Sequence, residues 1–153
     1  MNEQKRLRAR AIIYNDGKIV SMYREKADRT YYTFPGGGIN PGESEQDCVV
    51  REVEEEFGLK VQPIKKVYTY ENQISVEHFY ICKWISGEFG SGEGEEFEKN
   101  NPKGIYKPMF IEIEQIPNLP LMPPEVASEF VVDYKAYGEQ LCDAVKYISG
   151  DIK

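Results

Sequence analysis

Residues 33–59 read TFPGGGINPGESEQDCVVREVEEEFGL, and everything else in the chain is placed from this stretch. A strand-like TYYTF runs into Pro35 and three glycines follow. Ser44 then stands where a helix begins and Gly58 where it ends. Strand, loop and helix are expected in that order. On a helix of 3.6 residues per turn, Glu52, Glu55 and Glu56 fall within roughly 100° of one face. Val50, Val53 and Phe57 gather on the other side as the expected core face. Like charges at this spacing cost a few tenths of a kcal/mol each, and no basic residue follows four positions on within the helix. A solvated face is the ordinary explanation of an acidic helix. A divalent cation, however, would reverse the sign of the repulsion, and oxygen donors suit magnesium or manganese. The glycines let backbone approach a ligand closely, although three in a row more often mark a turn. The stretch is neither a P-loop, since no Lys-Ser/Thr pair follows, nor an EF-hand, since acids do not alternate around a central glycine.

Working outward, RLRARAIIYN and KIVSMYRE flank Asp16-Gly17, a strong hairpin signal. VQPIKKVYTYEN and SVEHFYICKWIS alternate as two further strands, and KPMFIEIEQI reads as another, with Ile111 and Ile113 on one face. The stretch 86–104, rich in Gly, Glu and Asn, is expected to be a surface loop. From Pro124, helical spacing of Val126, Phe130 and Tyr134 closes the chain with helix, interrupted at Gly138. Helices on a mixed sheet make the class α/β, and 153 residues suit a single domain over 1–153.

Composition narrows the function. With 26 acids against 19 bases and a net charge of −7, the chain lacks a broad basic surface for nucleic acid. A small anionic substrate remains compatible if a cation intervenes. No apolar run approaches a membrane span, and MNEQKRLRAR carries no apolar signal segment, so a cytoplasmic location is expected. Cys48, Cys82 and Cys142 are too scattered for a disulfide framework or a zinc site, and the lone His78 is read as a strand residue. In KRLRARA the alternation places Arg6, Arg8 and Arg10 on one strand face, where Arg8 and Arg10 could clamp phosphates or simply be solvated. Arg24 and Tyr32 are similar candidates for phosphate and base contact.

Gly37, five residues, Glu43, seven residues, then Arg51-Glu52-Val53-Glu54-Glu55-Glu56-Phe57-Gly58-Leu59 resembles the Nudix box, G-x5-E-x7-R-E-U-x-E-E-x-G-U with U aliphatic, at every fixed position. A chance match in a chain of this length is on the order of one in ten million at average residue frequencies, so coincidence is no rival. The resemblance implies an α/β/α sandwich with a central mixed sheet. It also implies hydrolysis of a nucleoside diphosphate linked to another moiety, with magnesium or manganese on the box. Carried over by position, Glu52, Glu55 and Glu56 are the implied metal ligands, joined by the carbonyl of Gly37. Arg51 is implied to pair with Glu43 and orient the catalytic carboxylates, while Glu43 and Gly58 shape the box. The water's proton would go to Glu52 or, as in some members, to a loop glutamate, for which Glu96 in GEGEEFE is preferred over Glu93, Glu95 and Glu98. Members that cut ADP-ribose often carry a proline somewhat beyond the box, and YENQISVEHF has none. A nucleoside triphosphate or oxidised nucleotide, releasing pyrophosphate, is therefore the leading expectation. ADP-ribose or a nucleotide sugar is the alternative, or a module that binds a nucleotide without cutting it. The expected partner is a small anionic nucleotide, with no nucleic acid or membrane, and a homodimer is left open.

Overall fold

The computed structural model describes residues 4–89, 104–138 and 145–150. The hairpin at Asp16-Gly17 forms as expected: both residues have positive φ, 57° and 75°, and join β2 (Tyr14–Asn15) to β3 (Lys18–Lys26). The strand before it is not continuous. β1 (Arg6–Ile12) ends at Ile12, and at Ile13 the chain crosses from one sheet to another. β4 (Arg29–Thr33) returns alongside β3 and leads into β5 (Gly36–Gly38), so the glycines expected in a loop form a short strand against β1. Helix α1 (Glu45–Phe57) follows a tight turn in which Glu43 N–H donates to Asn40, with Pro41 and a positive φ of 80° at Gly42 at its centre. Ser44 accepts from the Asp47 N–H as N-cap, and Gly58 closes the helix at φ 74° with its N–H on the Glu54 carbonyl.

β6 (Leu59–Glu71) and β7 (Ser75–Gly87) pair antiparallel over their whole length, so the second reaches into the stretch expected as loop. Residues 90–103, which include Glu93, Glu95, Glu96 and Glu98, lie outside the described residues, as does Cys142. β8 (Ile105–Glu112) is shorter than expected. At Ile113 it gives way to a 3-10 turn over Ile113–Asn118 that contains Pro117, whose missing N–H could not continue a ladder. After β9 (Leu121–Met122), α2 (Pro124–Tyr137) begins with proline at its first position and stops before Gly138. The final described element is not helix but β10 (Lys146–Ser149), parallel to β6.

The mixed α/β architecture is thus as expected, with its strands divided between two sheets. One has the order β10-β6-β7-β1-β5 and is mixed; the other runs β2-β3-β4-β9, with β8 on the free side of β3. Two apolar clusters form the core. Val49, Val53 and Phe57 of α1 pack with Ala9, Ala11, Val20, Met22 and Tyr80. Ile12, Ile19, Phe34, Phe79 and Ile111 pack with Val126 and Phe130 of α2. The inward face of α1 therefore includes Cys48 and Val49, both fully buried, whereas Val50 is only half-buried. Strand β1 runs between the clusters, with Ala9 and Ala11 toward α1, which turns Arg8 and Arg10 to the opposite face. Among the described residues no helix is long and apolar enough to cross a membrane.

Candidate active site

Arg51 organises the box. Its Nε donates to Glu43 Oε2 at 2.8 Å and its Nη2 to Glu43 Oε1 at 3.0 Å, a two-pronged pair. Nη1 donates to Glu52 Oε1 at 2.8 Å and lies 3.5 Å from Glu55 Oε2, while Nη2 also reaches the Gly38 carbonyl at 3.1 Å. The hydrogen bonds from Arg51, together with the Asn40 N–H, hold the Glu43 carboxyl down at about 2. Arg51 also supplies the relief that the acidic helix was expected to lack, because it stands four residues before Glu55.

Glu52 and Glu56 lie against the glycine strand. At Gly37 a Cβ would sit 2.7 Å from Glu52 Oε2, so the missing side chain is the space in which that carboxylate rests. Glu56 accepts a hydrogen bond from the Gly36 backbone. Burial, reinforced by the charge of Glu52, pushes the Glu56 carboxyl up to about 7 against the pull of Arg10, the Gly36 N–H and Arg24. Glu55 stands further out, its side chain 56% exposed. The three acids thus share a face without closing together, and among the described residues no group of three acids, histidines or cysteines is gathered tightly enough to hold a metal. The Gly37 carbonyl meets the Cys48 thiol at 3.6 Å, and burial raises that thiol to about 11, leaving it unreactive.

The candidate phosphate contacts separate into two kinds. Arg10 is closed into the protein: Nε donates to Glu77 Oε1 at 2.6 Å and Nη1 to the Phe34 carbonyl at 2.9 Å. Arg8, half-buried, lies within the fields of Glu77 and Glu52, and burial with the neighbouring charge of Arg10 lowers its pKa. Arg24 lies over the ring of Tyr106, 4.0 Å from its centroid, and donates to its hydroxyl, while its buried Nε has no hydrogen-bond partner among the described residues. Tyr32 packs edge-on to Tyr23 with ring centroids 5.3 Å apart.

Two participants escaped the sequence reading. Tyr106 lies just past the acidic stretch and carried no signal. Glu77 did carry one, since it is in phase with Phe79 and Ile81 on β7 and so had to face inward, in reach of the arginine stripe. On the other face of β7, His78 Nε2 lies 3.4 Å from Glu45 and Nδ1 lies 3.4 Å from Lys66, with burial lowering its pKa. It is a strand residue on the side of α1, as expected, and does not face Arg10.

The sequence is 31% identical over 81 residues to a CTP pyrophosphohydrolase of Escherichia coli, a match covering 52% of this chain and 60% of that protein. To an ADP-ribose pyrophosphatase of Methanocaldococcus jannaschii it is 34% identical over 101 residues, 59% and 60% of the two chains. To an 8-oxo-dGTP diphosphatase of E. coli it is 30% identical over 96 residues, 61% and 72%. The chain thus spans about 60% of the length of the first two relatives. The fold matches the crystal structure of a NUDIX hydrolase from Nitrosomonas europaea with a TM-score of 0.74 at 13% identity, covering 99% of this chain and 82% of that one. The NUDIX domain model matches residues 4–129, from the arginine-bearing β1 through the box and into α2, and by that match the chain belongs to the Nudix hydrolase family.

Proposed function

We propose that this protein is a divalent-metal-dependent Nudix pyrophosphohydrolase that cleaves a nucleoside triphosphate or oxidised nucleotide and releases pyrophosphate. The observation that carries the reading is the pairing of Glu52 and Glu56 beside Arg24. Partial burial, reinforced by the charge of Glu52, lets Glu56 keep its proton up to about 7 within the field of Arg24, whose buried Nε has no hydrogen-bond partner among the described residues. Buried polar atoms without partners are rare and costly, and an anionic oxygen would satisfy this one.

The donor set fits a hard cation. Glu52, Glu56 and the more exposed Glu55 offer only oxygens, and the repulsion between Glu52 and Glu56 is of the kind that a cation relieves. Those three would hold magnesium or manganese, with the Gly37 carbonyl as a further donor, and the ion would neutralise phosphoryl oxygens and acidify a bound water. The chain's own residues do the rest. Arg51, anchored on Glu43, holds Glu52 in its place at the glycine strand, where Glu52 is the proposed acceptor of the water's proton. Arg8 and Arg24 bind phosphate oxygens, and Tyr32 borders the base. Glu96 is the alternative base.

The relatives' activities, on CTP, 8-oxo-dGTP and ADP-ribose, span the candidates and support a nucleotide substrate. The deciding assay incubates the protein with canonical and oxidised nucleoside triphosphates, ADP-ribose and nucleotide sugars, with magnesium or after exhaustive chelation. Pyrophosphate release from a triphosphate that stops on chelation is expected. Release of AMP and ribose phosphate from ADP-ribose alone would move the assignment to the alternative substrate. Undiminished turnover after chelation would end the metal reading.

A further inference from the structure

We infer that Glu77 is a positioning residue for the carboxylate site, acting through Arg10 on the glycine strand; this rests on the metal-dependent reading above. Glu77 is 8% exposed and lies on β7, two strands away from β5 across β1. One carboxylate oxygen takes Arg10 Nε at 2.6 Å, and the other accepts from the buried Ser75 hydroxyl at 3.3 Å. Held in this way, Arg10 places Nη1 at 2.9 Å from the carbonyl of Phe34, three residues before the box. The Arg10 side chain also lies under Gly36, where a Cβ would meet Arg10 Cγ at 3.0 Å and the Ala9 carbonyl at 2.2 Å.

The strand so braced touches both inner carboxylates. Gly36 supplies the backbone hydrogen bond to Glu56, and Gly37 forms the bare surface against which Glu52 lies. A shift of β5 therefore moves two candidate metal donors together. A buried ion pair is weak evidence for stability, because a well-packed apolar pair of similar volume serves as well or better. What an apolar pair cannot provide is a guanidinium whose second nitrogen is aimed at the Phe34 carbonyl. The pair also lines a small cavity of about 140 Å³ with Thr33, Tyr70, Asn72 and Met122.

The test is manganese binding, measured calorimetrically on the full chain well below its melting temperature, for the parent and for Glu77→Ala, Glu77→Gln, Arg10→Lys and Asp133→Ala. Supporting partners of metal ligands typically contribute 10–100-fold in affinity. Glu77→Ala should weaken binding by about 10-fold or more. Glu77→Gln keeps an oxygen for Arg10 and should lose much less. Arg10→Lys keeps the charge but cannot reach Glu77 and Phe34 with a planar fork, so it should weaken binding like Glu77→Ala. Asp133→Ala destabilises the distant α2 packing and should lower the melting temperature with affinity unchanged. Parental affinity in Glu77→Ala, or in Arg10→Lys if the alanine variant does not fold, overturns the inference. So does equal weakening in Asp133→Ala. A parent that binds no manganese overturns the metal reading and this inference with it, whereas a binding parent with unaffected variants overturns this inference alone.

Discussion

Gly37 has no room for a side chain because Glu52 occupies it, yet its neighbour Gly36 is constrained for a different reason. A Cβ at Gly37 meets only the movable end of a carboxylate, and Gly37 has no positive φ. At Gly36 the obstacle is the Ala9 carbonyl at 2.2 Å and φ is 137°. The two alanine substitutions should therefore separate. Gly37→Ala should fold with nearly parental stability but lose about 10²-fold in turnover, the order of effect expected when a catalytic group is displaced by about an ångström. Gly36→Ala should lose on the order of 1–3 kcal/mol of stability or more. Denaturant melts and turnover of both variants check this, and comparable unfolding of the two would contradict it. At this scale the box residues were legible because their spacing is covalent: Arg51, Glu43 and Glu52 meet through one turn and one helix. Tyr106 was not, because its partner Arg24 stands 82 residues away in the chain, and the inward phase of Glu77 did not by itself name Arg10, 67 residues away, as its partner.

Elements were legible where local chemistry specifies them and illegible where another strand does. Ser44 and Gly58 set the ends of α1, and Asp16-Gly17 set the β2–β3 turn. The glycine strand β5 has almost no strand propensity of its own and exists through its pairing with β1, while the break at Ile13 depends on which sheet each half joins. The terminal strand β10 was likewise missed: four residues with one buried side chain, Ile148, carry little periodicity. Its attachment is chemical. Asp133 of α2, 3% exposed, accepts from the Tyr68 hydroxyl at 2.6 Å on β6 and from Lys146 at 3.0 Å on β10. Asp133→Ala leaves the fully buried Tyr68 without that partner, which should cost about 1–3 kcal/mol. A second change, Tyr68→Phe in the same background, should then cost much less than it does alone. Additive losses in the four denaturation curves would show that the two side chains do not act as a pair.

Across the whole molecule, a chain of net charge −7 gathers glutamates beside strands that bring Arg8, Arg10 and Arg24 to the same region. The two sheets and the division of β1 from β2 create that meeting, and no local pattern in the sequence announced it. The central claim is that box geometry, and not general acidity of α1, carries the chemistry. Glu52 and Glu54 are adjacent acids on the same helix with different surroundings. Glu52 is held by Arg51 against Gly37, whereas Glu54 is exposed and, among the described residues, forms a surface pair with Lys60 at 3.0 Å, a contact worth about 0–1 kcal/mol. The most direct test is turnover at saturating magnesium for Glu52→Gln and Glu54→Gln, on the nucleotide that the parent cleaves best. Glu52→Gln should fold and lose about 10²–10⁴-fold in turnover, while Glu54→Gln should stay close to the parent. Near-parental turnover in Glu52→Gln, or an equal fall in both variants, would contradict the account.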